Sequence, residues 1–170
     1  MSKKGKKLVF VYGTLMSEYG NNRLLQRGGA KFIGEATTKH SYLMLASGGH
    51  GIPFVVDANS DYPSTFWLEN CSLIKGEVWE CDEATMQDLD ALEGHPRWYK
   101  REEIKVDIAM YSDESGDDVV HEEEHHTPEG LPHKVKTAWC YLMPLSDKAM
   151  QDKLYYPIVV TSGSFRDLVN

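Results

Sequence analysis

Short apolar runs, few and brief helical segments, and no alternation of strands with long helices predict an α+β fold: a closed or strongly curved β-sheet flanked by short helices. The runs are bounded by glycine, proline and asparagine, the usual punctuation of strands. A doubly wound parallel sheet would need a crossover of about a dozen residues or more between successive strands, and the pattern does not supply them. With 170 residues and a 41% hydrophobic fraction, the chain can bury one sizeable core, so a single domain over 1–170 is expected.

The first strand is Leu8-Val9-Phe10-Val11-Tyr12, continuously apolar and stopped by Gly13, the pattern of a buried strand entering a turn. Ser17 to Gln26 reads as a short helix weakened by Gly20 and two asparagines. Phe32 to Ala36 and Tyr42 to Ala46 read as short strands, followed by a break at Ser47-Gly48-Gly49-His50-Gly51 and a resumed strand over Ile52 to Val56. Asn59 to Thr65 is turn-like. Ser72 to Cys81 is a further strand, in which Gly76 marks a close backbone approach or a bulge. The clearest helix follows: Asp82 caps it, Ala84 to Glu93 fills it, and Gly94 with Pro96 ends it. Lys100 to Tyr111 alternates, with Ile104, Val106, Ile108 and Met110 on one face, which predicts a half-exposed strand with a hairpin partner at Val135 to Leu142. Between them Ser112 to Lys134 is acidic, histidine-bearing and poor in apolar residues, and reads as a mobile connection.

Charge narrows the function. A formal net charge of -8, from 26 acidic and 18 basic residues, repels the phosphate backbone, so no nucleic-acid partner is expected. Cys71, Cys81 and Cys140 are odd in number, widely spaced and without a Cys-x-x-Cys pair, which predicts free thiols in a reducing compartment. The apolar run Leu8 to Tyr12 is shorter than a signal-peptide core of about 7 to 15 residues. No segment reaches the roughly 20 apolar residues that span a bilayer, so no membrane association and a cytosolic location are expected. The lysines at 3, 4, 6 and 7 read as a solubilising tail. His121 and His125 lie four apart in a run of glutamates, a spacing that faces one way only on a helix; in a loop they form a solvated tract, and no metal site is expected.

Two places carry chemistry. Met86, Leu89 and Glu93 fall on one helical stripe, an unusual position for a charge. Either Glu93 ends the helix and escapes to solvent or to Arg97 or Arg101, or its carboxyl faces an apolar pocket, where desolvation raises its pKa toward the range useful for proton transfer. The second is Tyr12-Gly13-Thr14-Leu15, where a turn after a buried strand can aim successive backbone N–H groups at one anion. A plain turn has the same sequence signature. Neither a P-loop nor a Gly-x-Gly-x-x-Gly fingerprint is present.

Taken together, Val9 to Leu15, Gly76-Glu77-Val78-Trp79, and Leu89 to Gly94 with Pro96, Tyr99 and Arg101 resemble the γ-glutamylcyclotransferase superfamily, and most closely its γ-glutamylamine cyclotransferase branch. Gly51-Ile52-Pro53 and Ser162-Gly163 with Phe165 and Arg166 are weaker matches. The resemblance implies a small β-barrel flanked by helices, a small-molecule γ-glutamyl substrate, no cofactor and no metal. It also implies Glu93 as catalytic acid/base, and a glutamyl moiety bound by Tyr12, Gly13, Thr14 and Leu15. Tyr99 and Arg101 either align Glu93 and line the pocket or belong to the barrel surface and core. Two departures, the acidic 112–134 segment and Ser164 where some relatives carry aspartate, fall where leaving-group specificity is expected to be set.

The implied reaction closes 5-oxoproline from the substrate's own α-amine and γ-carbonyl and expels a free amine. Rival readings are the same chemistry on γ-glutamyl amino acids or glutathione, a non-catalytic carboxylate- or partner-binding module on the same barrel, and a histidine-rich metal-binding protein. Oligomeric state is not legible in the sequence.

Overall fold

The computed structural model describes residues 5–46, 52–57, 69–109, 132–144 and 158–169. Five strands close into a barrel in the order β1-β5-β2-β6-β7, where β1 is Lys7–Val11, β2 Lys31–Tyr42, β5 Ser72–Cys81, β6 Lys100–Ala109 and β7 His133–Leu142. All neighbours are antiparallel except the closing pair, in which β1 runs parallel to β7 with Val9 opposite Trp139. A smaller sheet of β3 (Met44–Ala46), β4 (Pro53–Val55) and β8 (Ile158–Val159) has the order β4-β3-β8. Helices among the described residues include α1 (Asn22–Arg27), α2 (Glu83–Glu93) and α3 (Phe165–Val169). Among the described residues no helix is long and apolar enough to cross a membrane.

The expected closed sheet is therefore present, and its interior follows from pleat alternation. Phe10 faces Val78, Ala36 faces Ile108, and Ile104 faces Ala138 across adjacent strands, and all six are buried. Gly76 lies opposite Ala36, where an added Cβ would stand 2.2 Å from the Val11 carbonyl oxygen; this is the close approach its sequence position predicts. The hairpin of β6 and β7 pairs without interruption from Lys100 with Leu142 to Ala109 with His133.

Helix α2 matches its local signals. Asp82 accepts the Thr85 N–H at 2.8 Å, and Gly94 ends the helix at φ 64, the left-handed conformation glycine adopts without strain. Elsewhere the structure differs from the expectation. The helix expected from Ser17 starts at Asn22, because residues before it are committed to turns: Met16 N–H donates to the Gly13 carbonyl and Tyr19 N–H to that of Met16, each at 3.0 Å. The strand expected to stop at Ala36 continues to Tyr42 through a register shift between Thr37 and Ser41. There the Thr38 hydroxyl accepts the Ile74 N–H at 2.9 Å and donates to the His40 carbonyl at 2.7 Å, replacing ladder bonds the irregularity would lose. His133 and Lys134, expected in the connection, belong to β7. Residues 112–131 of that connection, the 47–51 break, the 59–65 turn and the histidines at 121 and 125 lie outside the described residues.

Cys81 and Cys140 are buried and Cys71 is half-buried, all as free thiols; burial, then neighbouring acids, pushes Cys81 up to about 12. The small sheet matters for the site. Pro53 begins β4 at the sheet edge, a position that tolerates a missing N–H. Past Leu142 the β7 chain pairs on, with Met143 N–H donating to Val55 at 2.8 Å and Asp57 N–H to Met143 at 2.9 Å, which fixes β4 against the barrel.

Candidate active site

A cavity of about 300 Å³ opens at the ends of β1 and α2 and the start of β4, in the size range of a small-ligand site. One wall is the loop after β1. Tyr12 starts it, and its hydroxyl donates to the Tyr141 carbonyl at 2.6 Å and accepts the Val55 N–H at 3.4 Å. Gly13 comes next, where an added Cβ would lie 2.6 Å from Pro53 Cγ; the loop approaches β4 this closely because no side chain intervenes. Asn21 Nδ2 donates to Thr14 Oγ1 and Asn22 Nδ2 to the Leu15 carbonyl, both at 2.8 Å, so the start of α1 braces the loop.

The facing wall comes from α2 and the segment after it. Met86 and Leu89 are fully buried, and the same stripe delivers Glu93 to the cavity. Desolvation by burial raises the Glu93 carboxyl to about 7. Burial, and after it the Glu93 charge, also raises the Tyr99 phenol and the Cys140 thiol. Tyr99 stacks on Phe54 at 5.9 Å and donates to the Pro53 carbonyl at 3.0 Å. Of the described cavity-lining residues, the three tyrosines keep their protons at neutral pH, and Glu93 is the one that titrates there.

Tyr12, Gly13, Thr14, Leu15, Glu93 and Tyr99 thus share one cavity, whereas Arg101 does not reach it. Arg101 is drawn to Asp90 by an ion pair of 3.3 Å, a charge contact without hydrogen-bond alignment, and its guanidinium lies 4.7 Å over the Trp139 ring. Asp90 in turn accepts the Tyr141 hydroxyl at 2.7 Å, so Arg101 stands one step behind a lining residue. Ser164 is also outside the cavity wall, buried at the start of α3 with its N–H on the Ser162 hydroxyl.

Sequence reasoning missed Tyr141, Asp90 and Trp98. Asp90 carries a local signal, being three residues before Glu93 and so on a neighbouring helical position; Tyr141 lies 51 residues from Asp90, and no local pattern marks that pair. Exposed Ile52 and Leu92 form an apolar rim, and no lysine, arginine or histidine is among the described lining residues.

The sequence matches the family model described as "Gamma-glutamyl cyclotransferase, AIG2-like" over residues 9–167. It is 31% identical over 159 residues to a Methanocaldococcus jannaschii protein whose gamma-glutamylcyclotransferase name is provisional, covering 94% of this chain and 95% of that one. Similarity to the human gamma-glutamylaminecyclotransferase is 32% identity over 104 residues, 59% of this chain and 62% of that enzyme. In fold, the crystal structure of an AIG2-like protein from Mus musculus superposes with a TM-score of 0.62 at 20% identity, covering 94% of this chain and 88% of that one. The family match spans the cavity loop, the helix that carries Glu93 and the barrel that holds both, and the chain belongs to the gamma-glutamyl cyclotransferase, AIG2-like family.

Proposed function

We propose that this protein is a γ-glutamylamine cyclotransferase with Glu93 as its general acid/base. The observation that carries the reading is the Glu93 carboxyl on the wall of a small cavity, held by burial at about 7, opposite the Tyr12–Leu15 loop. Backbone N–H groups of Gly13, Thr14 and Leu15 hold the substrate's α-carboxylate by charge-assisted hydrogen bonds. The glutamyl chain folds so that its α-amine meets its γ-carbonyl. Nucleophile and electrophile share one molecule, and well-oriented reactions of this kind reach effective molarities of about 10⁵ M or more, so much of the catalysis is positioning.

Proton traffic is the remaining task. The carboxylate of Glu93 takes a proton from the α-amine as its nitrogen bonds to the carbon of the γ-carbonyl. The carboxylic acid then returns that proton to the departing nitrogen as the amide C–N bond breaks, giving 5-oxoproline and a free amine. Such a role is worth roughly 10² to 10⁴ in rate.

The amine branch is supported by the described lining. A γ-glutamyl amino acid carries a carboxylate on the carbon next to the scissile amide nitrogen, and no described lining side chain offers it a counter-charge there; γ-glutamyl-ε-lysine places its carboxylate beyond an aliphatic stem. The apolar Ile52 and Leu92 instead suit an aliphatic stem.

The test is release of 5-oxoproline and amine from γ-glutamyl-ε-lysine, simple γ-glutamylalkylamines, γ-glutamyl amino acids and glutathione, with natural protein and Glu93→Gln. Natural activity on the amines, reduced about 10²-fold or more in the variant, is expected. Glu93 must be ionised to act as base, so kcat/KM falls as pH drops through about 7. Silence across the panel rejects the enzyme, and preference for glutathione rejects the branch.

A further inference from the structure

Two stretches of the family signature, Gly76 to Trp79 and Ser162 to Arg166, line no part of the cavity, yet they meet behind its loop. Glu77 is 3% exposed. Its Oε1 accepts the Ser17 backbone N–H at 2.7 Å, the Ser17 hydroxyl at 2.9 Å and the Trp79 indole N–H at 3.3 Å. Its Oε2 accepts the Ser17 hydroxyl at 3.0 Å and Arg166 Nη2 at 3.1 Å. Arg166 also pairs with Glu18 and Glu35, which holds its guanidinium against the barrel. Burying a carboxylate is costly unless both oxygens are satisfied, and a barrel strand needs no charge there for its own sake.

What distinguishes Glu77 is that it holds both ends of one loop. Its backbone pairs with Val11, the last residue of β1, and its side chain holds Ser17, two residues beyond Leu15. The chain between those points is the cavity wall. We propose that Glu77 is a positioning residue: a clip that closes the loop from Val11 to Ser17 so that the Gly13, Thr14 and Leu15 backbone converges on the substrate, with Arg166 holding the clip shut. It touches neither Glu93 nor the cavity, so it acts on binding and not on proton transfer. This rests on the function proposed above.

The experiment compares natural protein, Glu77→Gln and Glu77→Ala on the best γ-glutamyl substrate, with backbone amide exchange read over residues 13–17. Loss of charge-assisted bonds at the loop end predicts that Glu77→Ala raises KM about tenfold, with kcat within about threefold and the pH midpoint of kcat unmoved. Glutamine keeps an acceptor for the Ser17 N–H, so a smaller rise of about threefold is expected. Exchange at residues 13–17 accelerates in both. Natural KM and natural exchange in the variants overturn the clip, as does a loss confined to kcat with a shifted midpoint. If the alanine variant fails to fold, the glutamine variant decides by the same criteria. Were the natural protein inactive, the proposed function alone would fall; faster exchange in Glu77→Gln would still uphold the clip, and unchanged exchange would reject it.

Discussion

Glycine at position 13 is set by space. The missing side chain leaves Pro53 pressed against the loop, and the Pro53 carbonyl at the same place accepts the Tyr99 hydroxyl. A methyl group there would meet a ring carbon at 2.6 Å, well inside van der Waals contact, and a proline ring cannot swing aside as a long side chain can. Either the loop or β4 has to move, and both are cavity walls. Gly13→Ala is therefore expected to lower kcat/KM by about tenfold or more while leaving the protein folded, since displacements of about an ångström at a positioning wall are felt strongly. Steady-state kinetics with a thermal melt checks this; natural kcat/KM in the alanine variant would show that the contact relaxes at no cost.

At the scale of elements, α2 is the piece whose boundaries are written most locally. Asp82 accepts the Thr85 N–H, and that backbone bond, with the Thr85 side chain after it, holds the Asp82 carboxyl below its usual range. A depressed carboxyl contributes stability that is present above the ordinary carboxylate pKa and is lost as pH falls through the lower folded value. Asp82→Ala should lower Tm by about 2 to 5 °C at neutral pH, and the gap should narrow as pH falls below the ordinary carboxylate range; melts of both proteins across pH measure it. The same locality explains what the sequence could reveal. Asp82 and Gly94 are signals readable within the helix's own turns, and the alternation of Ile104, Val106 and Ile108 names a strand without knowledge of its partner. Thr38 reads as an ordinary strand residue, because its bond to Ile74 spans 36 positions and exists only once β2 meets β5. The same holds for Arg101, whose choice of Asp90 and Trp139 over the cavity depends on where β7 packs. Glu93 lies between these cases: its stripe is local, but the cavity that desolvates it is assembled from β1, β4 and β7.

For the whole molecule, that desolvated carboxyl should appear as a pH-dependent weakness of the fold. Glu93 titrates at about 7 in the folded chain against an ordinary value of 4.5. Below the ordinary value the carboxyl is protonated in folded and unfolded chains alike, and it imposes no penalty. Between the two values the folded state binds its proton more tightly, so stability falls as pH rises, and above about 7 the full penalty is in place. The shift sets a ceiling of about 3 kcal/mol, and solvent at the cavity mouth reduces it to about 1 to 2 kcal/mol. Glutamine keeps the shape and removes the charge. Glu93→Gln is therefore expected to melt about 2 to 8 °C above the natural protein at pH 8 and together with it at pH 4, a comparison in which every other titrating group cancels. The variant expected to lose about 10²-fold or more in turnover would then be the more stable protein. Equal melting at both pH values would mean that the carboxylate is fully solvated, and with it would go the elevated pKa on which the acid/base assignment rests.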